Sequence, residues 1–364
     1  MGLFDFLGRL VDEDARQRAR VRIPVERDLT RCTGTTAVAD QHYVRLVLSE
    51  LFLKSNTQWF TKRFPVVYSL IAMTYGDQPK LELPNVSGKS KFEIKQADLN
   101  RSILRRYPLT PLLPFRGGEV EIDLGLVSLK ASDLAQAFAK TVSEVAGAVS
   151  LGQVVAVANM ASAVAGGVQS LLGAGESSTR LAAHDLLLGS GADGTLTSGY
   201  VLLSAVEASA LPQSGATMAW MTDDGVRFGP DAGRLRAPDP QDYVVLQIQL
   251  TTTRDDWQSL GTIGKPLDDA INARAQGDTD RAQTLLNQAV AAALTSPDLT
   301  RADARRVAAA VRRYFQDYAA IEATMEDARA RNAATTEGNE TLDVAERRPE
   351  TLHLGPAVMS YGGD

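Results

Sequence analysis

The sequence has little of what most enzymes are built from. Its 364 residues include one cysteine, Cys32, and three histidines, His42, His184 and His353. A single thiol forms no intramolecular disulfide, so nothing points to an oxidising compartment and a cytoplasmic home is expected. No pair of the imidazoles has the close helical spacing of a zinc motif, and no metal or other cofactor is expected. A Walker-type Gly-x-x-x-x-Gly-Lys-Ser/Thr is absent, as is a dinucleotide fingerprint, which argues against a phosphate-cradling enzyme. His184-Asp185 precedes Ser190, but Gly189-Ser190-Gly191 is not a nucleophile elbow and reads as a turn. Cys32 and His42 make a second nucleophile pairing on paper, and a lone cysteine is more often an inert small residue. The chain reads as a non-enzyme with no small-molecule substrate.

Positive charge is also scarce. The formal charge is −6 and the isoelectric point near 5.3. Phosphate backbones require clustered Lys and Arg, so nucleic acid is not an expected partner. Arg16, Arg18, Arg20 and Arg22 alternate near the N-terminus and Arg105-Arg106 form a pair, both read as solvated edges. The opening residues Met1 to Leu7 lack the basic region and cleavage site of a secretory signal.

The most local deficit is of charge altogether: Val145 to Gly175, thirty-one residues, carry none. An apolar surface of that length is buried, inserted in lipid or held against a partner. It exceeds the roughly 20 residues that span a bilayer core. Its apolar side chains are interleaved with Ser150, Gln153, Asn159, Ser162 and Gln169, which offsets most of the gain from entering lipid. Small residues recur every fourth position, through Ala148, Gly152 and Ala156 and again through Ala158, Ser162, Gly166, Ser170 and Ala174. Such stripes let a second backbone approach closely. Gly152, Ala156, Ser162 and Gly166 are therefore the candidate helix-packing or assembly positions. Residues 1–15 read as an amphipathic helix with Leu3, Phe6, Leu7 and Leu10 on one face, a candidate contact for a membrane or a partner.

What the chain does have is alternation. Val44, Leu46 and Leu48 alternate with Arg45, Val47 and Ser49; Val120 to Val127 and Tyr243 to Thr251 behave alike. In the last run Val244, Leu246, Ile248 and Leu250 alternate with Val245, Gln247 and Gln249. Val66 to Thr74 is almost continuously apolar, as suits a strand covered on both sides. Leu81 with Leu83, and Phe92 with Ile94, give shorter strands. Asp223-Asp224-Gly225 between Met218–Met221 and Val226–Phe228 reads as a hairpin turn. Tyr107 to Phe115 contains three prolines and reads as an extended strap across a sheet. Helical spacing returns at Pro266, with a turn at Gly277-Asp278 and a cap signal at Thr300 and Asp303.

The expected class is α+β: an antiparallel β-sandwich-like module over 16–260 with an apolar helical insertion at about 131–187, a helical module over 261–331, and a flexible tail over 332–364. The expected role is a non-enzymatic interaction or assembly protein, with a protein partner or self-association, that uses the small-residue helix for close packing. The alternative is an effector that shelters residues 145–175 at rest and inserts them into membranes on a trigger, a role at the membrane periphery.

Overall fold

In the computed structural model the described residues are 19–54, 57–58, 61–75, 78–87, 103–130, 158–159, 164, 177–188, 195–205, 218–238 and 241–337. Runs of period two become strands. In chain order these are β1 (Ala19–Ile23), β2 (Tyr43–Phe52), β3 (Thr57–Gln58), β4 (Thr61–Tyr75), β5 (Gln78–Ser87), β6 (Ile103–Pro108) and β7 (Leu113–Pro114). They continue with β8 (Glu121–Lys130), β9 (Ser177–Leu187), β10 (Gly199–Ser204), β11 (Met218–Thr222), β12 (Gly225–Gly229) and β13 (Tyr243–Thr251).

The strands make two antiparallel sheets and a hairpin. The first sheet runs β1-β10-β13-β2-β6, with β7 also on β2; the second joins β4 to β8 and β8 to β9, with β3 and β5 paired to β4. Alternation decides what each strand contributes. In β10, Val201 and Leu203 enter the main core with residues of the second sheet, whereas Tyr200 and Leu202 join a smaller cluster on the outer face. In β13, Val244, Leu246 and Ile248 point inward, while Tyr243 and Val245 point outward. Two sheets sharing one core through their alternate residues form a sandwich, and with the helices that follow the chain is α+β.

Strand β2 departs from strict alternation. Leu48 pairs with Leu246 and Glu50 with Val245, which leaves Ser49 as an extra residue. Such a bulge resets the faces of the strand. Without it Glu50 would follow Leu46 and Leu48 into the sandwich core. With it Leu51 and Leu53 enter the core instead, and Glu50 turns to the outer face. There the Tyr243 hydroxyl and the Val226 amide each donate to its carboxylate at 2.6 Å. A Cβ on Gly225, whose φ is +102°, would lie 2.4 Å from that carboxylate, so the Asp223-Asp224-Gly225 turn tolerates only glycine at its third position. Hairpin β11–β12 is thereby fastened over the outer face of the first sheet, with Met221, Val226 and Phe228 buried against Tyr243 and Val245.

The proline-rich strap lies along β2. Leu109 and Thr110 donate their amides to the Leu46 carbonyl at 2.8 and 3.4 Å, and the Leu46 amide donates to the Thr110 hydroxyl at 3.0 Å. A side-chain acceptor thus serves β2 where Pro108 and Pro111 interrupt regular pairing.

The insertion ends earlier than the sequence implies. Residues 177–187 were expected within the helical block, but Ser177–Leu187 is β9, paired along β8. Beside β8 a strand satisfies backbone donors and acceptors of both segments, a tertiary gain that outweighs local helical spacing. The chain leaves the second sheet at Lys130 and rejoins it at Ser177, next to the strand it left. Within the charge-free segment Ala158, Asn159 and Val164 are helical; Val164 is 3% exposed in the main core, with Ala158 packed against it. Gly152, Ala156, Ser162 and Gly166 lie outside the described residues, as do Leu3, Phe6, Leu7 and Leu10, and Phe92 and Ile94.

Three helices follow: α1 (Gly261–Ala275), α2 (Thr279–Thr295) and α3 (Arg301–Glu337). The Asp278 carboxylate caps α2 by accepting from the Arg281 amide at 3.1 Å, and the Thr300 hydroxyl accepts from the Asp303 amide at 3.2 Å at the start of α3. The chain divides into two compact units, residues 1–313 and 314–364. Helix α3 continues to Glu337, so 332–337 are helical and not the start of a tail; the rest of the expected tail is outside the described residues. Among the described residues no helix is long and apolar enough to cross a membrane.

Candidate functional site

The outward row of β13 reads Tyr243, Val245, Gln247, Gln249, Thr251. Its first two members lie under the hairpin. Beyond the hairpin the same face opens into a cavity of about 650 Å3 whose lining includes Gln247, Gln249, Arg45, Arg31, Cys32 and Asp256. The side chains change from apolar to polar where the cover stops, as burial requires.

The floor is held by a directed chain of hydrogen bonds. Gln249 Nε2 donates to Gln247 Oε1 and Gln247 Nε2 donates to the Tyr200 hydroxyl, both at 2.9 Å. That hydroxyl is 3.0 Å from Thr30 Oγ1, which itself lies 2.6 Å from Asp28 Oδ1. A carboxylate only accepts, so the Thr30 proton goes to Asp28 and Tyr200 must donate to Thr30. Burial pushes the Tyr200 phenol well above its ordinary value, which keeps it protonated as this chain requires.

Asp28, 6% exposed, organises the loop that forms one lip. It accepts from the amides of Thr30 and Cys32 at 2.9 and 2.7 Å and from the hydroxyls of Thr30 and Thr33 at 2.6 and 2.7 Å. Burial acts to raise its pKa; these four donors outweigh it and hold the carboxyl below the ordinary value. Arg31, within this loop, has a left-handed backbone with φ 59°, a conformation uncommon outside glycine.

Another part of the wall belongs to a second network. The Arg254 side chain is fully buried. Its guanidinium donates to Asp256 at 3.0 Å and to the carbonyls of Leu112 and Asp298 at 3.2 and 3.3 Å. Its amide donates to Asp303, which also accepts from the Tyr43 hydroxyl at 2.8 Å. Tyr43 opens β2 and Asp303 sits in the first turn of α3, so this wall ties the first sheet to the helical module.

The charges divide unevenly. Asp256 is paired with Arg254, and Asp255 lies 3.5 Å from Arg306. No described carboxylate lies within ion-pair distance of Arg31 or Arg45, and the buried Nε of Arg45 has no hydrogen-bond partner. Burial pulls the Arg45 pKa below its ordinary value, Asp256 opposes that and Arg254 adds to it; an arginine nevertheless stays charged.

Of the residues weighed for catalysis, Cys32 is exposed at the groove lip. His42 is not in the groove lining, and its Nδ1 accepts the Val38 amide at 3.0 Å. His184 and Asp185 lie on β9 in the second sheet, and Ser190 is outside the described residues. Among the described residues no group of three or more His, Cys, Asp or Glu could hold a metal ion. Sequence reasoning missed the groove because its residues come from five segments far apart in the chain. The one legible signal was the outward row of β13, where Tyr and Val give way to two Gln. Comparison of the chain with protein-family models, curated proteins and solved structures finds no match.

Proposed function

We propose that this chain is a non-enzymatic interaction protein and that the polar groove on the first sheet receives a segment of a partner polypeptide. The observation that carries the reading is the chemistry of the floor. Gln247, Gln249 and Arg45 offer amide and guanidinium groups, which recognise by hydrogen bonding and neither attack nor shuttle protons near neutral pH. Gln247 and Gln249 stand two residues apart on one strand face, about 7 Å, the repeat of an extended peptide laid alongside. In the same reading the stripe through Gly152, Ala156, Ser162 and Gly166 is a close-packing face, supported by Val164 buried in the main core.

The test is a photo-crosslinking residue at Gln249, with a matched one at Gln283 on the exposed face of α2, in the full chain expressed in its native cell. Discrete adducts at the groove position, lost when Arg45→Glu is added, support the reading. Equal adduct patterns at both positions refute it.

A further inference from the structure

We propose that the groove selects an acidic peptide, whose carboxylates are received by Arg45 and Arg31. The inference rests on the groove being a peptide site and adds the chemistry of its ligand.

Four charged side chains line the cavity, and only two are at rest. Asp256 is bonded to the buried guanidinium of Arg254, which also takes two carbonyls, and Asp255 faces Arg306. Both carboxylates therefore look toward the helical wall. Arg45 and Arg31 have no carboxylate at ion-pair distance among the described residues, Asp256 acting on Arg45 only from further off, and the Arg45 Nε proton is undonated. A guanidinium that lines the cavity with no carboxylate at ion-pair distance favours an oxygen anion as the incoming group.

Geometry narrows the ligand further. Arg45 lies directly across from Gln249 in the pairing of β2 with β13, so a guanidinium and a side-chain amide stand side by side on the floor. The directed chain from Gln249 to Asp28 commits one amide proton of Gln249 inward and leaves its carbonyl and second proton for a ligand. A guanidinium beside an amide matches a carboxylate next to a peptide group. Arg31 is presented from the lip by a left-handed backbone, held by its own amide on the Asp28 carbonyl at 3.3 Å and by the amides of Thr30 and Cys32, on either side of it, on the Asp28 carboxylate. Non-glycine residues held this way recur at ligand clamps. With Asp255 and Asp256 engaged by Arg306 and Arg254, Arg45 and Arg31 are the charges of the lining left to attract an acidic segment.

Cys32 is the sole thiol of the chain and lies in the groove lining, so its reactivity reports occupancy. The experiment follows alkylation of Cys32 in the full-length protein by iodoacetamide, a neutral reagent, with alternating Glu-Gly, Gln-Gly and Lys-Gly peptides and with inorganic phosphate. The expected result is that the Glu-Gly peptide alone slows alkylation to saturation, and that rising salt weakens the protection. Arg45→Gln and Arg31→Asn, the latter chosen because Asn accepts left-handed backbone, should each weaken binding roughly tenfold while circular dichroism and unfolding stay unchanged. Equal protection by Gln-Gly overturns the acidic selectivity and leaves the groove a peptide site. Protection by phosphate as strong as by the peptide overturns the peptide source in favour of a small-anion site. No protection by any peptide removes this inference together with the proposed function.

Discussion

The outer face of the first sheet is two surfaces carried by the same strands. Under hairpin β11–β12 it presents Tyr243, Val245, Tyr200 and Leu202 to Phe228 and Met221, and these side chains are all nearly or fully buried. A few residues further along β13 it presents Gln247 and Gln249 to an open groove. The backbone is continuous and antiparallel through both, so strand geometry does not separate them. What separates them is cover. Where the hairpin excludes water, apolar side chains are required and the single charge, Glu50, is bonded to the Tyr243 hydroxyl and the Val226 amide. Where water enters, amides and guanidiniums persist, fixed by Asp28 and flanked by Arg254. One half of the face is committed to stability, and the other is the half to which the proposed function assigns recognition.

Three substitutions probe that division. The largest effect is expected under the hairpin. Phe228→Ala should cost about 3–5 kcal/mol in urea unfolding, because it leaves a cavity between hairpin and sheet. A loss below about 1 kcal/mol would mean the hairpin is an ornament on the face and not its cover. An intermediate effect is expected at the lip of the groove. Asp28→Asn should cost about 1–3 kcal/mol at neutral pH, since an amide cannot accept all four donors that surround it. Asp28 has a folded pKa below its unfolded value, so its contribution is full above the unfolded value near 4 and is lost as pH falls through the folded one. The gap between wild type and variant should therefore close in acid; a gap that widens there would contradict the assignment. The smallest effect is expected on the floor. Gln249→Ala should change stability by less than about 0.5 kcal/mol while lowering Cys32 protection by the acidic peptide. A large loss of stability would make the floor structural, like the half under the hairpin.

Much of this architecture can be read from the residues, and the exceptions have physical causes. The alternation in Tyr243 to Thr251, the glycine of Asp223-Asp224-Gly225 and the Thr300 cap all express local rules, and each appears as an element or a bond. Residues 177–187 did not, because their strand form depends on the backbone of β8, more than forty residues earlier in the chain. The turn of Glu50 out of the core was hidden for a related reason: nothing in Leu48-Ser49-Glu50-Leu51 declares a bulge until β13 fixes which residue is left over. The groove was hidden most deeply. Arg31, Arg45, Gln249 and Asp256 share no motif, and their proximity is a product of strand order. Only the succession of Tyr, Val, Gln and Gln on one face of β13 marked where a covered surface ends.

Ser49 has a consequence of its own. It faces no residue of β13, and its buried hydroxyl has no hydrogen-bond partner. Against that neighbour β2 holds a spare residue, so losing it would bring Leu48 and Glu50 into unbroken register with both still facing as they do now. Most single deletions in a sandwich strand invert everything downstream. Here the chain carries a position at which shortening preserves the sidedness of the strand against β13, at the expense of its pairing with β6.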